Sequence, residues 1–260
     1  MSLPATLSER TLERLVAALD LRAGEDVPLT SPMSPAPVGR LRVLRPAAPP
    51  RVAAAPADQA AGPVEERVAD RVADRAAERV AKVVAVSLVV PPIGLDSHMI
   101  FAFTRPESAV PHFTLDAVAS ADYHALHLDL IPRADLAVHL AYLDACFAPL
   151  TEPLEDAWRL DGLSPAAVGP RQRAMMSPWM LVCRATEEAF AKLGPTVDAY
   201  LGHWLHLLTT GVWRPGGDPA GRDHANRANL FSPDVDPVWH QVTRLLGAEQ
   251  AERVRGELLG

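Results

Sequence analysis

The chain has 260 residues, of which 48% are apolar, enough to bury a sizeable core. A net charge of −7 argues against nucleic acid as the main partner, because neutralising phosphates takes clustered Lys and Arg. Cys146 and Cys183 are too few for a disulfide framework, and no CxxC pair is present to hold zinc or an iron–sulfur cluster.

Residues 8–20 are predicted to form an amphipathic helix, with Leu12, Leu15, Val16 and Leu19 at helical spacing. The stretch 25–62 is dense in proline and alanine, and it is expected to be a flexible or polyproline-like linker in which Leu41–Leu44 pairs at most briefly. Residues 1–62 are therefore read as a helix and a flexible arm, and 63–260 as the folded domain. Val64, Val68, Val72, Ala76 and Val80 recur every four residues and predict a helix over 64–82. Val83–Val90 is continuously apolar and β-branched, as in a strand covered on both faces. Met99–Thr104, Phe113–Ser120 and His124–Ile131 follow as strands, and Ala121-Asp122 joins the last two as an antiparallel hairpin. Helices are expected over 135–148, 187–210, 236–247 and 248–259, and a strand over Trp179–Cys183. This order points to a three-layer α/β/α sandwich with a central, largely antiparallel sheet. No apolar run is long enough to span a bilayer, and the start lacks the charged and apolar regions of a signal peptide, so a cytoplasmic location is expected.

Alternation on the hairpin gives its two faces different chemistry. Phe113, Leu115, Ala117, Leu126, Leu128 and Leu130 share one face, and Thr114, Asp116, His127 and Asp129 share the other. A turn at Ala121-Asp122 sets Asp116 opposite His127. Such a polar face either lies in water or is covered by helices and lines a cavity. In the second case carboxyl and imidazole would hold coupled, shifted pKa values.

Several blocks, in order between residues 64 and 250, resemble the ferredoxin-dependent bilin reductases. They are Pro111-His112-Phe113-Thr114-Leu115-Asp116, Leu126-His127-Leu128-Asp129-Leu130-Ile131-Pro132, Leu150-Thr151-Glu152-Pro153, Ser177-Pro178-Trp179 with Arg184, and Arg222-Asp223, Arg227, Leu230-Phe231 and Trp239. The same blocks are similar to the related red chlorophyll catabolite reductases. The resemblance implies an oxidoreductase that reduces a linear tetrapyrrole, with no bound cofactor and with single electrons from an external reduced ferredoxin. It implies Asp116 and Asp223 as the acids facing the pigment. His127 is then a candidate relay at the substrate, and Arg133 and Arg184 are candidate partners for its carboxylates. Two departures stand out. The family often has Gly where Thr114 stands, and a histidine used by some members falls at Met99, with His98 one place off and so on the other face. A reductase of the chlorophyll-catabolite kind and a non-catalytic tetrapyrrole carrier are the rival readings.

No metal site is read from the histidines, since His203 and His206 stand alone at helical spacing without further ligands. Gly216-Gly217 and Gly221 have neither the preceding strand nor the lysine of a phosphate-binding loop.

Overall fold

A computed structural model describes residues 1–47, 76–214 and 216–260. Among the described residues one antiparallel sheet has eight strands in the order β1-β2-β3-β4-β5-β6-β8-β7. The strands are β1 Leu21–Ser31, β2 Ser34–Pro46, β3 Val80–Val90, β4 Leu95–Thr104, β5 His112–Ala119, β6 His124–Ile131, β7 Leu163–Pro165 and β8 Leu181–Ala185. Helices cover both faces, so the fold is a three-layer α/β/α sandwich.

One layer holds α1 Leu3–Leu19, α2 Leu140–Cys146, α3 Thr151–Trp158, α5 Glu187–Ala191 and α6 Gly194–Thr210. The short α4, Pro170–Met175, precedes β8. The stripe Leu12, Leu15 and Leu19 of α1 packs with Phe113, Leu115 and Leu128 of the sheet and with Tyr200, Leu201 and Trp204 of α6. Removing such side chains from water stabilises by about 1.5–3 kcal/mol each. The other layer holds α7 Pro219–Leu230, α8 Val238–Leu246 and α9 Ala248–Leu259. Leu230, Trp239, Leu246, Val254 and Leu258 bury themselves there against Val84, Val86, Phe101 and Phe103. No helix among the described residues is long and apolar enough to cross a membrane.

The proline-rich stretch differs from its reading as a linker. Residues 25–46 lie in β1 and β2 and extend the sheet. Proline usually breaks a central strand by removing an N–H from the ladder. Here β2 pairs with β3 only over Gly39–Leu44, so Pro35, Pro37 and Pro46 fall outside that ladder, and Pro28 sits on the edge strand β1. Gly39 is needed for this pairing, since a Cβ there would stand 1.9 Å from the Ser87 carbonyl oxygen. The predicted boundary at 62/63 and most of the predicted helix 64–82 lie outside the described residues. Within them, 76–78 are helical and Val80–Lys82 already belong to β3. The single helix predicted over 187–210 is two, α5 and α6, because Lys192 and Leu193 turn the chain before Gly194-Pro195 starts the second. The helix predicted over 135–148 is helical only as α2.

Candidate active site

Strand register places the polar groups. β5 and β6 pair with Thr114 opposite Asp129 and Asp116 opposite His127, as the hairpin turn requires. On the far side of β5, Met99 of β4 stands directly beside Asp116. His98 therefore faces the α1 layer, where its Nε2 lies 2.5 Å from Asp96 Oδ1. Thr114, Asp116, His127 and Asp129 all face the layer of α7, α8 and α9.

Between that face and α8 lies a cavity of about 620 Å³, within the range of sites that take cofactor-sized ligands. Its walls are mostly apolar, with Leu88, Leu95 and Val118 on the sheet and Val238, Val242 and Leu245 on α8. Met33, Ile93 and Val238 are exposed at its rim. Asp116 forms part of the wall. Burial pushes its carboxyl up to about 7, the charge of Asp236 adds to the rise, and a hydrogen bond from Ser97 opposes it. Burial likewise drives the His127 imidazole down to about 4 and keeps it neutral near pH 7. Asp116 Oδ1, His127 Nε2 and Thr114 Oγ1 are buried and have no hydrogen-bond partner among the described residues. Each such group costs about 1–3 kcal/mol when left unmet, which is common where a ligand or substrate supplies the missing partner.

Asp129 is fully buried, and its carboxylate accepts from Ser177 N–H at 2.9 Å and Ser177 Oγ at 2.5 Å. Burial raises it to about 7 against these two hydrogen bonds. The serine-proline segment before β8 is thereby tied to β6.

Asp223 does not join Asp116. Its Oδ1 lies 2.6 Å from His112 Nε2 and 3.6 Å from Arg133 Nε, and its Oδ2 lies 3.8 Å from Arg227. His112 shares the cavity face of β5 but stands four residues from Asp116, roughly 13 Å along the strand. Burial alone would raise the Asp223 carboxyl, but the His112 hydrogen bond and the arginine charges outweigh it and hold the group below the usual carboxylate range. Arg133 is turned inward with it. Its guanidinium donates to Thr104 Oγ1 and to the Pro106 carbonyl, both at 2.8 Å. Asp223 and Arg133, expected at the pigment and at one of its carboxylates, are thus engaged with each other and stand apart from the cavity that Asp116 lines. They fasten α7 to the sheet.

Arg184 is exposed on the cavity face of β8, and its guanidinium lies 4.4 Å from the ring centre of Tyr123, a cavity residue. Three residues at or near the cavity escaped the sequence reading. Gln241 and Arg244 line the cavity from α8, a helix whose position against the sheet the sequence does not give. Asp236 accepts from Val238 N–H at 3.0 Å, and Asp236-Pro237 signals a helix start without showing which strand it faces. Among the described residues no three His, Cys, Asp or Glu side chains converge as a metal site would need.

No family model matches the chain, and no curated protein matches it in sequence. Among solved structures it resembles phytochromobilin synthase from tomato in complex with biliverdin, with a TM-score of 0.66 over 96% of this chain and 80% of that one. At 15% identity, what the two chains share is the fold, an antiparallel sheet between helical layers.

Proposed function

We propose that this chain is an oxidoreductase that reduces a linear tetrapyrrole, with single electrons from an external reduced ferredoxin and protons from Asp116. One observation carries the reading. A carboxyl that burial pushes up to about 7 stands in the wall of a largely apolar cavity, in a fold shared with a protein solved with biliverdin. The cavity offers shape and apolar contact to a flat conjugated pigment. The pigment accepts the electrons itself, so the chain's part is to hold it and to deliver protons at chosen atoms. Each added electron makes the pigment more basic, and an acid poised near pH 7 is then matched to the transfer. His127 stays neutral beside Asp116 and leaves the acid's charge uncompensated, which holds the proton on Asp116 until the reduced, more basic pigment takes it. Arg184 at the cavity face is suited to a carboxylate of the substrate. Asp223 and Arg133 act at a distance, by keeping α7 against the sheet.

Biliverdin added to the purified chain tests this. Binding sharpens and red-shifts its absorbance. A new band or bleaching should then appear only when reduced ferredoxin is supplied. Binding without any such change under reduction would make the chain a carrier, and no spectral change with any linear tetrapyrrole would end the reading.

A further inference from the structure

One part of the cavity wall comes from the proline-rich hairpin. Pro32-Met33 is the two-residue turn between β1 and β2, and Met33 lines the cavity together with residues of β3, β4 and α8. Met33 is 49% exposed, Ile93 47% and Val238 45%. Large apolar side chains from three separate elements thus meet at one mouth, each with much of its surface in water. Single exposed apolar residues are ordinary, but their convergence at the entrance of an apolar cavity marks a surface that a ligand covers.

The turn is held in place. Met33 N–H donates to Ser31 Oγ at 3.1 Å. Thr30 stands at the irregularity between Leu29 and Ser31, where β1 shifts register against β2, and its N–H and C=O are free for another partner. Gln250, in the first turn of α9, takes both. Thr30 N–H donates to Gln250 Oε1 at 2.8 Å, and Gln250 Nε2 lies 3.1 Å from the Thr30 carbonyl and 2.7 Å from Thr30 Oγ1. The same Nε2 lies 3.3 Å from the carbonyl of Leu246, the last residue of α8. One side-chain amide therefore joins the turn at the mouth to the helix over the cavity. Its bonds to Thr30 are exposed to water, so each is weak in net terms and can open.

We infer that Met33 is a pigment-contact residue and that Gln250 positions it, latching the β1–β2 turn over the bound pigment. This rests on the function proposed above. Methionine is unbranched and carries a polarisable sulfur, which suits it to lie against a conjugated ring system. The bound pigment covers Met33, Ile93 and Val238 and takes their apolar surface out of water. The latch holds the turn in place while the pigment stays, and the pigment enters and leaves when it opens. Arg253 of α9 also reaches β1, pairing with Glu25 at 3.1 Å, but it does not touch the turn. A mere tie between β1 and α9 would stabilise the fold and leave pigment exchange alone.

Two measurements on the full chain test this. In a chain with carbon-labelled methionine methyls, the Met33 signal, assigned by its loss in Met33→Leu, should shift when biliverdin is added without reductant. The exposed Met1 methyl should stay where it is. Met33→Ala should weaken biliverdin binding about five- to tenfold, and Met33→Leu, which keeps the volume, should restore it. In a displacement experiment, Gln250→Ala should release biliverdin about tenfold faster than wild type, the scale of the lost hydrogen bonds. Arg253→Ala should release it at the wild-type rate. An unmoved Met33 methyl in a chain whose biliverdin absorbance has shifted overturns the contact. Wild-type release from Gln250→Ala, or equally fast release from Arg253→Ala, overturns the latch. These outcomes leave pigment reduction standing, whereas a chain that gives no absorbance change with biliverdin loses the proposed function and this inference together.

Discussion

The cavity face of β5 carries two acid-bearing regions that contrast at every point. At one end Asp223 is charged and met on all sides, by His112, Arg133 and Arg227. At the other end the Asp116 carboxyl is pushed by burial up to about 7, and its Oδ1 is met by nothing among the described residues. The first arrangement buries a charge together with its countercharges, which fixes geometry. The second buries an acid without them, which leaves a proton ready to move. Two aspartates that a resemblance groups together thus stand in opposite surroundings, and the difference lies in what the fold brings to each.

The sharpest break between the two ends should be kinetic. Asp116→Asn is expected to bind biliverdin and to lose turnover with reduced ferredoxin by about 100-fold or more, the usual worth of a positioned general acid. Undiminished turnover in this variant would remove Asp116 from the chemistry. Stability should break the other way. Asp223→Ala leaves two buried guanidinium groups uncompensated and should cost about 3–5 kcal/mol in a denaturant melt, whereas Asp116→Asn should cost nothing and should stabilise the chain as pH rises. If Asp223→Ala melts like the wild type while changing the product isomer, the division of labour drawn here is wrong.

Acidity sharpens the same contrast. Asp116 titrates near 7 in the folded chain and near 3.8 when unexposed influences are absent, so between those values the folded state holds the extra proton. Its contribution therefore falls as pH rises from about 4 to 7. His112 and His127, both lowered to about 4, work oppositely, since their neutral burial is favourable above the unfolded value near 6.5 and is lost as pH falls toward 4. Asp223, with its lowered value, contributes above the ordinary carboxylate pKa and loses that contribution in strong acid. The stability advantage of Asp116→Asn over wild type should accordingly grow between pH 5 and pH 8, by on the order of 2 kcal/mol. A constant difference across that range would show that Asp116 is not held protonated. The smallest effect is expected at the rim. Arg184→Ala should weaken biliverdin binding by roughly three- to tenfold, in keeping with an exposed ion pair, and should leave the rate of the bound complex alone.

Much of this was legible in the chain itself. Strict alternation in 112–131 and the short Ala121-Asp122 connection set the hairpin register, and with it the pairing of Asp116 with His127. Continuous apolar sequence marked β3 as a strand covered on both faces. Two things were not legible, for different reasons. Proline content hid β1 and β2, because the cost of proline depends on whether its N–H is needed, and that depends on which neighbour the strand pairs with. The separation of Asp223 from Asp116 was hidden because motif order says nothing about distance along a strand. His112, which claims Asp223, stands in the sequence only within the Pro111–Asp116 block, and nothing there names its partner.

The proline-bearing edge of the sheet has a further consequence. Along β1 the ladder is interrupted by irregularities at Ala23/Glu25 and Leu29/Ser31, Pro28 offers no N–H, and Arg22 and Asp26 are exposed. At the opposite margin β7 is only three residues long. Neither margin presents a long, flat row of amides that another copy could extend, so the very residues that disguise these strands in the sequence also discourage the protein from polymerising through its sheet.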